Sequence, residues 1–139
     1  MNREIKFRGY NEFEKKWVYG YGLHQSIFID GSSNAYVTAG IREVFIVDKE
    51  SAGQYTGCKD ANGNEIYEGD IVKVIDLAPL DASYGKQYIG KIIYDKDRFK
   101  IDYKDTCPCD TRIYTDFPYW IKIEVIGNVY ENKNLLEEE

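Results

Sequence analysis

Short alternating segments separated by turn-forming residues constrain the fold of this chain more than any other feature. The densest example spans residues 53–74, where Asn62-Gly63 and Gly69-Asp70 separate the alternating segments. A type I′ turn needs positive φ at both central residues, which Asn and Gly tolerate best. Gly69 can also adopt positive φ, and the Asp70 carboxylate can accept nearby backbone N–H groups. The stretch therefore predicts antiparallel strands joined by tight turns.

The same pattern recurs along the whole chain. Alternating or β-branched and aromatic segments are bounded by Gly, Pro, Asn and Asp. The predicted strands are residues 4–8, 17–21, 27–29, 35–38, 41–47, 54–56, 65–67, 71–74, 90–94, 98–103 and 120–126. A short helix at the start of 41–47 is the alternative for that segment. The predicted turn residues are Gly57, Asn62, Gly63, Gly69, Asp70, Gly127 and Asn128. The predicted fold class is therefore mainly β, or α+β at most.

The order of the predicted elements indicates two lobes within one domain of 139 residues. Residues 1–53 are predicted as an N-terminal β lobe that begins with a hairpin, and residues 54–132 as a second lobe. From Asp70 onward, the order strand, long loop, hairpin, loop, strand matches a small SH3-like β-barrel by fold-level analogy. Residues 133–139 are predicted as an acidic tail, in which Asn134 caps a short helical turn. That turn is expected to fray because its terminal acids oppose the helix dipole.

Composition limits the classes to which the chain can belong. Hydrophobic residues make up 43% and aromatic residues 15%, which is too apolar for a disordered chain. No stretch approaches the roughly 20 apolar residues of a membrane helix, so we expect no membrane partner. Three cysteines and the lack of a signal-peptide pattern predict a reducing, cytoplasmic setting. The net charge of −6 gives phosphate backbones no global attraction.

The cysteines and the single histidine are the candidates for a metal site. Cys107 and Cys109, with Cys58 and His24, could supply four soft ligands. Structural zinc sites favour two to four residues between paired cysteines, however, and one residue separates this pair. No motif places His24 beside a nucleophile. We therefore expect reduced thiols, no metal and no cofactor.

Glu65, Glu68 and Asp70 are the candidates for acid and base catalysis because they lie close together in the sequence. Acids beside tight turns more often accept backbone hydrogen bonds than react. The turn glycines recur every six residues, a spacing that matches no phosphate-binding loop. The sequence therefore predicts no enzymatic activity.

Tyrosine-rich strands provide the candidate interaction surface. Aromatic side chains dominate interface energetics and also stack on unpaired bases, but ordinary strand packing is a third use. Residues 1–20 carry five basic and three acidic side chains, a thin basic patch that would bind phosphates weakly. The predicted surface comprises Arg3, Arg8, Trp17, Tyr19, Tyr21, Tyr55 and Tyr67.

Six parts of the sequence together match the pattern of a known family: residues 3–8, 54–57, 59–60, 63, 65–72 and 127–132. On these residues the chain resembles the YopX family of bacteriophage and prophage proteins. Cys58 departs from the pattern, since the family usually has an apolar residue after Tyr-Thr-Gly, and residues 9–11 differ from its small-aromatic-acidic run. The resemblance implies a phage or prophage origin and a mainly β fold, and it supplies no activity or site residue.

Two functions follow from these observations. The first is a non-enzymatic protein-interaction module in the bacterial cytoplasm, either homo-oligomeric or bound to another phage or host protein through tyrosines and strand edges. The alternative is a weak nucleic-acid-binding accessory protein that uses the SH3-like lobe and the basic N-terminal strand.

Overall fold

The computed structural model describes residues 4–40, 42–77, 85–96, 98–104 and 121–137. They form eleven strands, one 3₁₀ turn and one short helix, which confirms the prediction of a mainly β fold. The contacts divide the chain into two compact units, Met1–Tyr55 and Thr56–Glu139. Within the described residues, none of the helices has the length and apolar character needed to cross a membrane. The assignment of one domain with lobes 1–53 and 54–132 stays a prediction.

The first unit begins with the predicted hairpin. Strands β1 (Phe7–Asn11) and β2 (Lys16–Gly20) pair antiparallel, and β1 also pairs with the start of β6 (Gly53–Lys59). The first strand lies further along the chain than the predicted 4–8. The Asn11 side-chain oxygen accepts the Glu14 N–H at 2.7 Å, which closes the turn after Asn11 and extends the strand to it.

A three-stranded antiparallel sheet completes the first unit. Its order is β3 (Gly22–Ile27), β4 (Ser33–Gly40) and β5 (Glu43–Val47), and a 3₁₀ turn follows at Lys49–Ser51. The prediction placed a strand at 27–29, but β3 ends at Ile27. The buried core of this unit consists of Val18, Ala35, Val37 and Val47, against which Phe45 packs.

The second unit is built on a four-stranded antiparallel sheet of order β10-β9-β8-β11. Its strands are β8 (Asp70–Asp76), β9 (Gln87–Asp95), β10 (Arg98–Tyr103) and β11 (Ile121–Asn128); β7 (Glu65–Tyr67) precedes them and α1 (Asn134–Glu137) follows. The buried core is Cys58, Ile66, Val72, Val74, Ile92, Ile101 and Ile123. Closure of these strands into an SH3-like barrel stays a prediction.

The loop at Asn62-Gly63 corrects the predicted turn type. Gly63 has a φ of 84°, but Asn62 is absent from the described non-Gly residues with positive φ, so the turn is not type I′. The Gly63 N–H donates to the Asp60 carbonyl at 3.0 Å, and the Asp60 N–H donates to the Asn64 carbonyl at 2.8 Å. This geometry matches a three-residue hairpin loop, in which a type I turn precedes one left-handed glycine.

Candidate functional site

Strands β3 and β4 form a hairpin that is almost free of charge. Between residues 18 and 41 the sequence contains one acid, Asp30, and no lysine or arginine, whereas 30% of the whole chain is charged. We call residues 22–40 the charge-poor hairpin. Its second strand belongs to the core of the first unit, because Ala35 and Val37 are buried. None of the six residues of its first strand, β3, belongs to that core.

Strand β3 exposes five of its six residues. It lies at the end of the three-stranded sheet, so one side of its backbone pairs with β4 and the other side pairs with no described strand. We call this second side the β3 edge. The large apolar residues exposed on β3 and next to it are Tyr21 at 68%, Leu23 at 36%, Ile27 at 75%, Phe28 at 48% and Ile29 at 108%. Monomeric proteins rarely expose such a cluster without a use for it.

A hydrogen-bonded turn holds the tip of the hairpin. The Phe28 N–H donates to the Ser32 carbonyl at 2.8 Å, and Gly31 has a φ of 90°. The Asp30 carboxylate accepts the Ser32 hydroxyl at 2.6 Å and the Ser32 N–H at 2.9 Å. The bond from the Ser32 hydroxyl has the larger effect and the bond from the Ser32 N–H the next, and both lower the pKa of Asp30 below its ordinary value of 3.8. The turn therefore presents Ile29 to solvent at a fixed point between the strands.

The pairing with β4 determines which amides of β3 face outward. Phe28 and Ser32 stand opposite each other in the continuation of the β3–β4 register, which pairs Ile27 with Ser33. Because hydrogen-bonded pairs alternate in an antiparallel ladder, the even-numbered residues of β3 bond to β4. The N–H and C=O groups of Leu23, Gln25 and Ile27 therefore point to the β3 edge.

The polar side chains of β3 bond to β4 on the sheet faces. His24 Nε2 lies 3.1 Å from the Thr38 hydroxyl, and the imidazole ring is tilted against Tyr36 with centroids 5.9 Å apart. The Gln25 amide donates to the Ser33 hydroxyl at 2.9 Å. These bonds stabilise the hairpin across its two strands and do not involve the backbone groups of the β3 edge.

The predicted interaction surface divides into exposed and buried residues. Tyr19 and Tyr21 are exposed. Trp17 is half-buried, and the Arg8 guanidinium carbon lies 4.7 Å from its ring centroid, a cation–π contact. Arg8 is only 8% exposed, so its guanidinium packs against Trp17 inside the folded chain and is not part of an exposed surface.

Tyr55 and Tyr67 correct the expectation of an exposed tyrosine surface. They are only 4% and 2% exposed, and the Tyr67 hydroxyl donates to Glu65 Oε1 at 3.0 Å. Both therefore lie inside the folded chain. The predicted surface residue Arg3 lies outside the described residues.

The predicted turn residues occupy special backbone positions. Gly57, Gly63 and Gly69 have φ values of 89°, 84° and 93°. Gly57 nevertheless lies within β6, so it introduces a local irregularity in a strand rather than a turn. Gly127 and Asn128 end β11, and the Asn128 side-chain oxygen accepts the Glu131 N–H at 2.8 Å.

Of the carboxylates considered for catalysis, Asp70 is bonded within a turn and Glu65 accepts the Tyr67 hydroxyl. Asp70 is 1% exposed, and its Oδ2 accepts the Tyr67 N–H at 2.7 Å. Asp60, which the sequence reasoning missed, has a larger role: its carboxylate accepts the N–H groups of Asn62, Asn64 and Val125 at 2.8–2.9 Å. An Asp three residues before a Gly in a loop is the signal that could have identified it.

The cysteine and histidine candidates do not come together in the part of the chain that the structure describes. Cys58 is buried in the core of the second unit, while His24 lies exposed on β3. Cys107 and Cys109 lie outside the described residues. Within those residues, no group of three or more His, Cys, Asp or Glu could hold a metal ion.

Comparisons with family models and with solved structures found matches to this chain. The model of the YopX protein family matches residues 6–137. Among solved structures, the chain is similar to protein EF1440 from Enterococcus faecalis, with 25% identity over 95% of this chain and 97% of that chain and a TM-score of 0.47. No curated protein matches the chain. Because the matched segment spans nearly the whole sequence, this chain belongs to the YopX protein family.

Proposed function

We propose that this chain is a non-enzymatic protein-interaction module of phage or prophage origin, which acts in the bacterial cytoplasm through the charge-poor hairpin. One observation carries the proposal: an edge strand exposes five of its six residues and contains no acid, lysine or arginine. The expected partner is either another copy of the chain or another phage or host protein.

The composition of β3 supports this proposal because natural edge strands are usually protected. Proteins protect exposed edges with lysines, prolines, bulges or covering segments, since an open ladder pairs readily with other chains. Residues 22–27 contain no proline and no lysine, and apolar side chains lie at both ends of the segment. An edge of this kind suits the addition of a strand from a partner.

The alternative of a nucleic-acid-binding accessory protein has less support. It requires the basic side chains of the N-terminal strand to reach phosphates, with the SH3-like lobe as a platform. Arg8 is buried against Trp17. The Lys6 Nζ lies 3.4 Å from Glu4 Oε2 and 5.6 Å from the centroid of the Tyr55 ring. These contacts leave little cationic surface on the described part of that strand.

Affinity capture with matched variants tests the proposal. Immobilised wild-type chain, Ile27→Lys and Tyr94→Lys are each exposed to an extract of bacteria that express the native chain, and bound proteins are crosslinked and identified. Ile27 and Tyr94 are 75% and 53% exposed, so we expect the fold to tolerate either lysine, with Tyr94→Lys losing the edge contact to the Phe99 ring. The control Tyr94 lies on β9, away from the charge-poor hairpin in sequence.

We expect a protein that is retained by the wild type and by Tyr94→Lys but lost with Ile27→Lys. That protein can be the chain itself or another one, provided that it forms a defined complex with the purified chain. Retention that is equal for all three forms, or absent for all three, would contradict the proposed use of the hairpin.

A further inference from the structure

We infer that the β3 edge binds a second copy of this chain, by antiparallel pairing of β3 with β3 about a two-fold axis at Gln25. The inference rests on the proposed function and specifies its partner. The outward-facing amides, the order of the side chains along β3 and the charge of the molecule support this pairing.

The backbone of β3 is compatible with this symmetry. Leu23, Gln25 and Ile27 direct their N–H and C=O groups to the β3 edge, as the β3–β4 register requires. A two-fold axis that passes beside Gln25 makes the two Gln25 residues a hydrogen-bonded pair. Leu23 of one copy then bonds with Ile27 of the other, and all outward-facing amides between residues 23 and 27 find partners.

The side chains on the first face of β3 are self-complementary in this register. Leu23 lies opposite Ile27 of the second copy, and the pair occurs twice because of the symmetry. Both side chains are solvent-exposed in the single chain, at 36% and 75%. Cross-strand apolar pairs are the unit by which sheets are stabilised.

The opposite face offers a second complementary pair. Phe28, which is 48% exposed, would lie opposite Gly22 of the second copy. A glycine leaves open space for an aromatic ring on the neighbouring strand. A register centred on another residue pairs fewer residues between Gly22 and Phe28 with residues of the same segment in the second copy. The register at Gln25 therefore pairs the most apolar side chains.

Charge favours a second copy over a charged partner. The molecule carries a net charge of −6, so two copies repel each other wherever acidic surfaces meet. Residues 22–28 contain no acid, lysine or arginine, and the register at Gln25 places His24 opposite Ser26 of the second copy, so the pairing places no like charges opposite one another. A partner selected for opposite charge would find no charged group on this segment to recognise.

The size of the contact predicts a weak, reversible dimer. The paired segment, residues 22–28, has seven residues and is about 24 Å long, whereas a standard stable interface uses about 20–30 residues a side. We therefore expect association in the micromolar range, detectable by dilution.

Sedimentation velocity over a tenfold dilution tests the inference with the full chain. We expect a reversible monomer–dimer equilibrium for the wild type and for Tyr94→Lys. Ile27→Lys should weaken dimerisation by more than about tenfold, because symmetry introduces the lysine twice. Gln25→Pro should weaken it as well, since it removes an N–H that faces the β3 edge and not β4. Circular dichroism checks that each variant is folded.

Each result has a distinct meaning. A wild type that is monomeric at every concentration overturns the second-copy inference, while a hairpin-dependent foreign partner in the capture experiment would still support the proposed function. A dimer that persists in both Ile27→Lys and Gln25→Pro overturns the pairing of β3, because association then uses another surface. If one variant fails to fold, the other decides.

Discussion

Single carboxylates hold the loops of this protein at the residue scale. Asp30, Asp60 and Asp70 each accept backbone N–H groups within or beside a turn, at distances of 2.7–2.9 Å. A hydrogen bond to a charged acceptor is stronger than a neutral one, and a buried N–H that loses its acceptor bears the full cost of desolvation. These acids therefore contribute to stability through the backbone.

Asp60 provides the clearest test of this role. Asp60→Ala removes the acceptor of three backbone N–H groups, including that of Val125 on β11. We expect a loss of about 3 kcal/mol in the free energy of unfolding, measured by chemical denaturation. The control Asp95→Ala removes a partly exposed ion pair to Lys100 and should cost less than about 1 kcal/mol. Equal effects of the two substitutions would contradict the assignment.

Gly69 tests the backbone strain of the turn between β7 and β8. Its φ is 93°, and an added Cβ would meet Val129 Cγ2 at 3.6 Å, an ordinary contact. The cost of Gly69→Val should therefore come from the backbone and exceed about 1 kcal/mol. Gly69→Asn should cost less, since Asn tolerates positive φ. An unchanged unfolding midpoint for Gly69→Val would show that the turn can adopt another conformation.

The turn of the charge-poor hairpin gives a prediction at the scale of the element. The hydrogen bonds from Ser32 lower the pKa of Asp30, so the ionised carboxylate favours the folded turn. The stabilisation is complete well above pH 3.8 and is lost as the pH falls through the lowered pKa. We expect Asp30 to titrate below 3.8 by NMR in the wild type. In Ser32→Ala, where the hydroxyl donor is removed, the pKa should rise; an equal pKa in both would contradict the assignment.

Local patterns predicted the strands well where turns and alternation agree. The hairpin of β9 and β10 follows from the alternation on both sides of residues 95–97, and β8 begins where Gly69-Asp70 predicted a new strand. Apart from Ile27, strand β3 lies outside the predicted segments 17–21 and 27–29, because residues 22–26 do not alternate clearly. Its position is set by pairing with β4, whose Ala35 and Val37 pack in the core.

The candidate site was only partly predictable from the sequence. Tyr21 was selected as an aromatic residue of a predicted strand and is exposed, but Tyr55 and Tyr67 were selected on the same ground and are buried. The identity of a tyrosine does not reveal which sheet face it occupies, because tyrosine suits both the core and the surface. The β3 edge depends on strand order, which local alternation does not encode.

At the scale of the whole molecule, the distribution of charge separates one region from the rest. A chain with 30% charged residues and a net charge of −6 contains a run from residue 18 to residue 41 with a single acid. The net negative charge makes the remaining surfaces of two copies repel each other. The β3 edge has exposed apolar side chains and no acid, lysine or arginine, so contact between copies is permitted there. This contrast is the physical basis for an interaction module.

Residue-resolved amide hydrogen exchange by NMR tests the central claim most directly. At concentrations where the chain dimerises, we predict that the outward-facing amides of Leu23, Gln25 and Ile27 are protected, and that dilution restores their rapid exchange. The amides of His24 and Ser26, which face β4, should be protected at both concentrations. Equal exchange of the outward-facing amides before and after dilution, or new protection confined to another strand, would contradict the account.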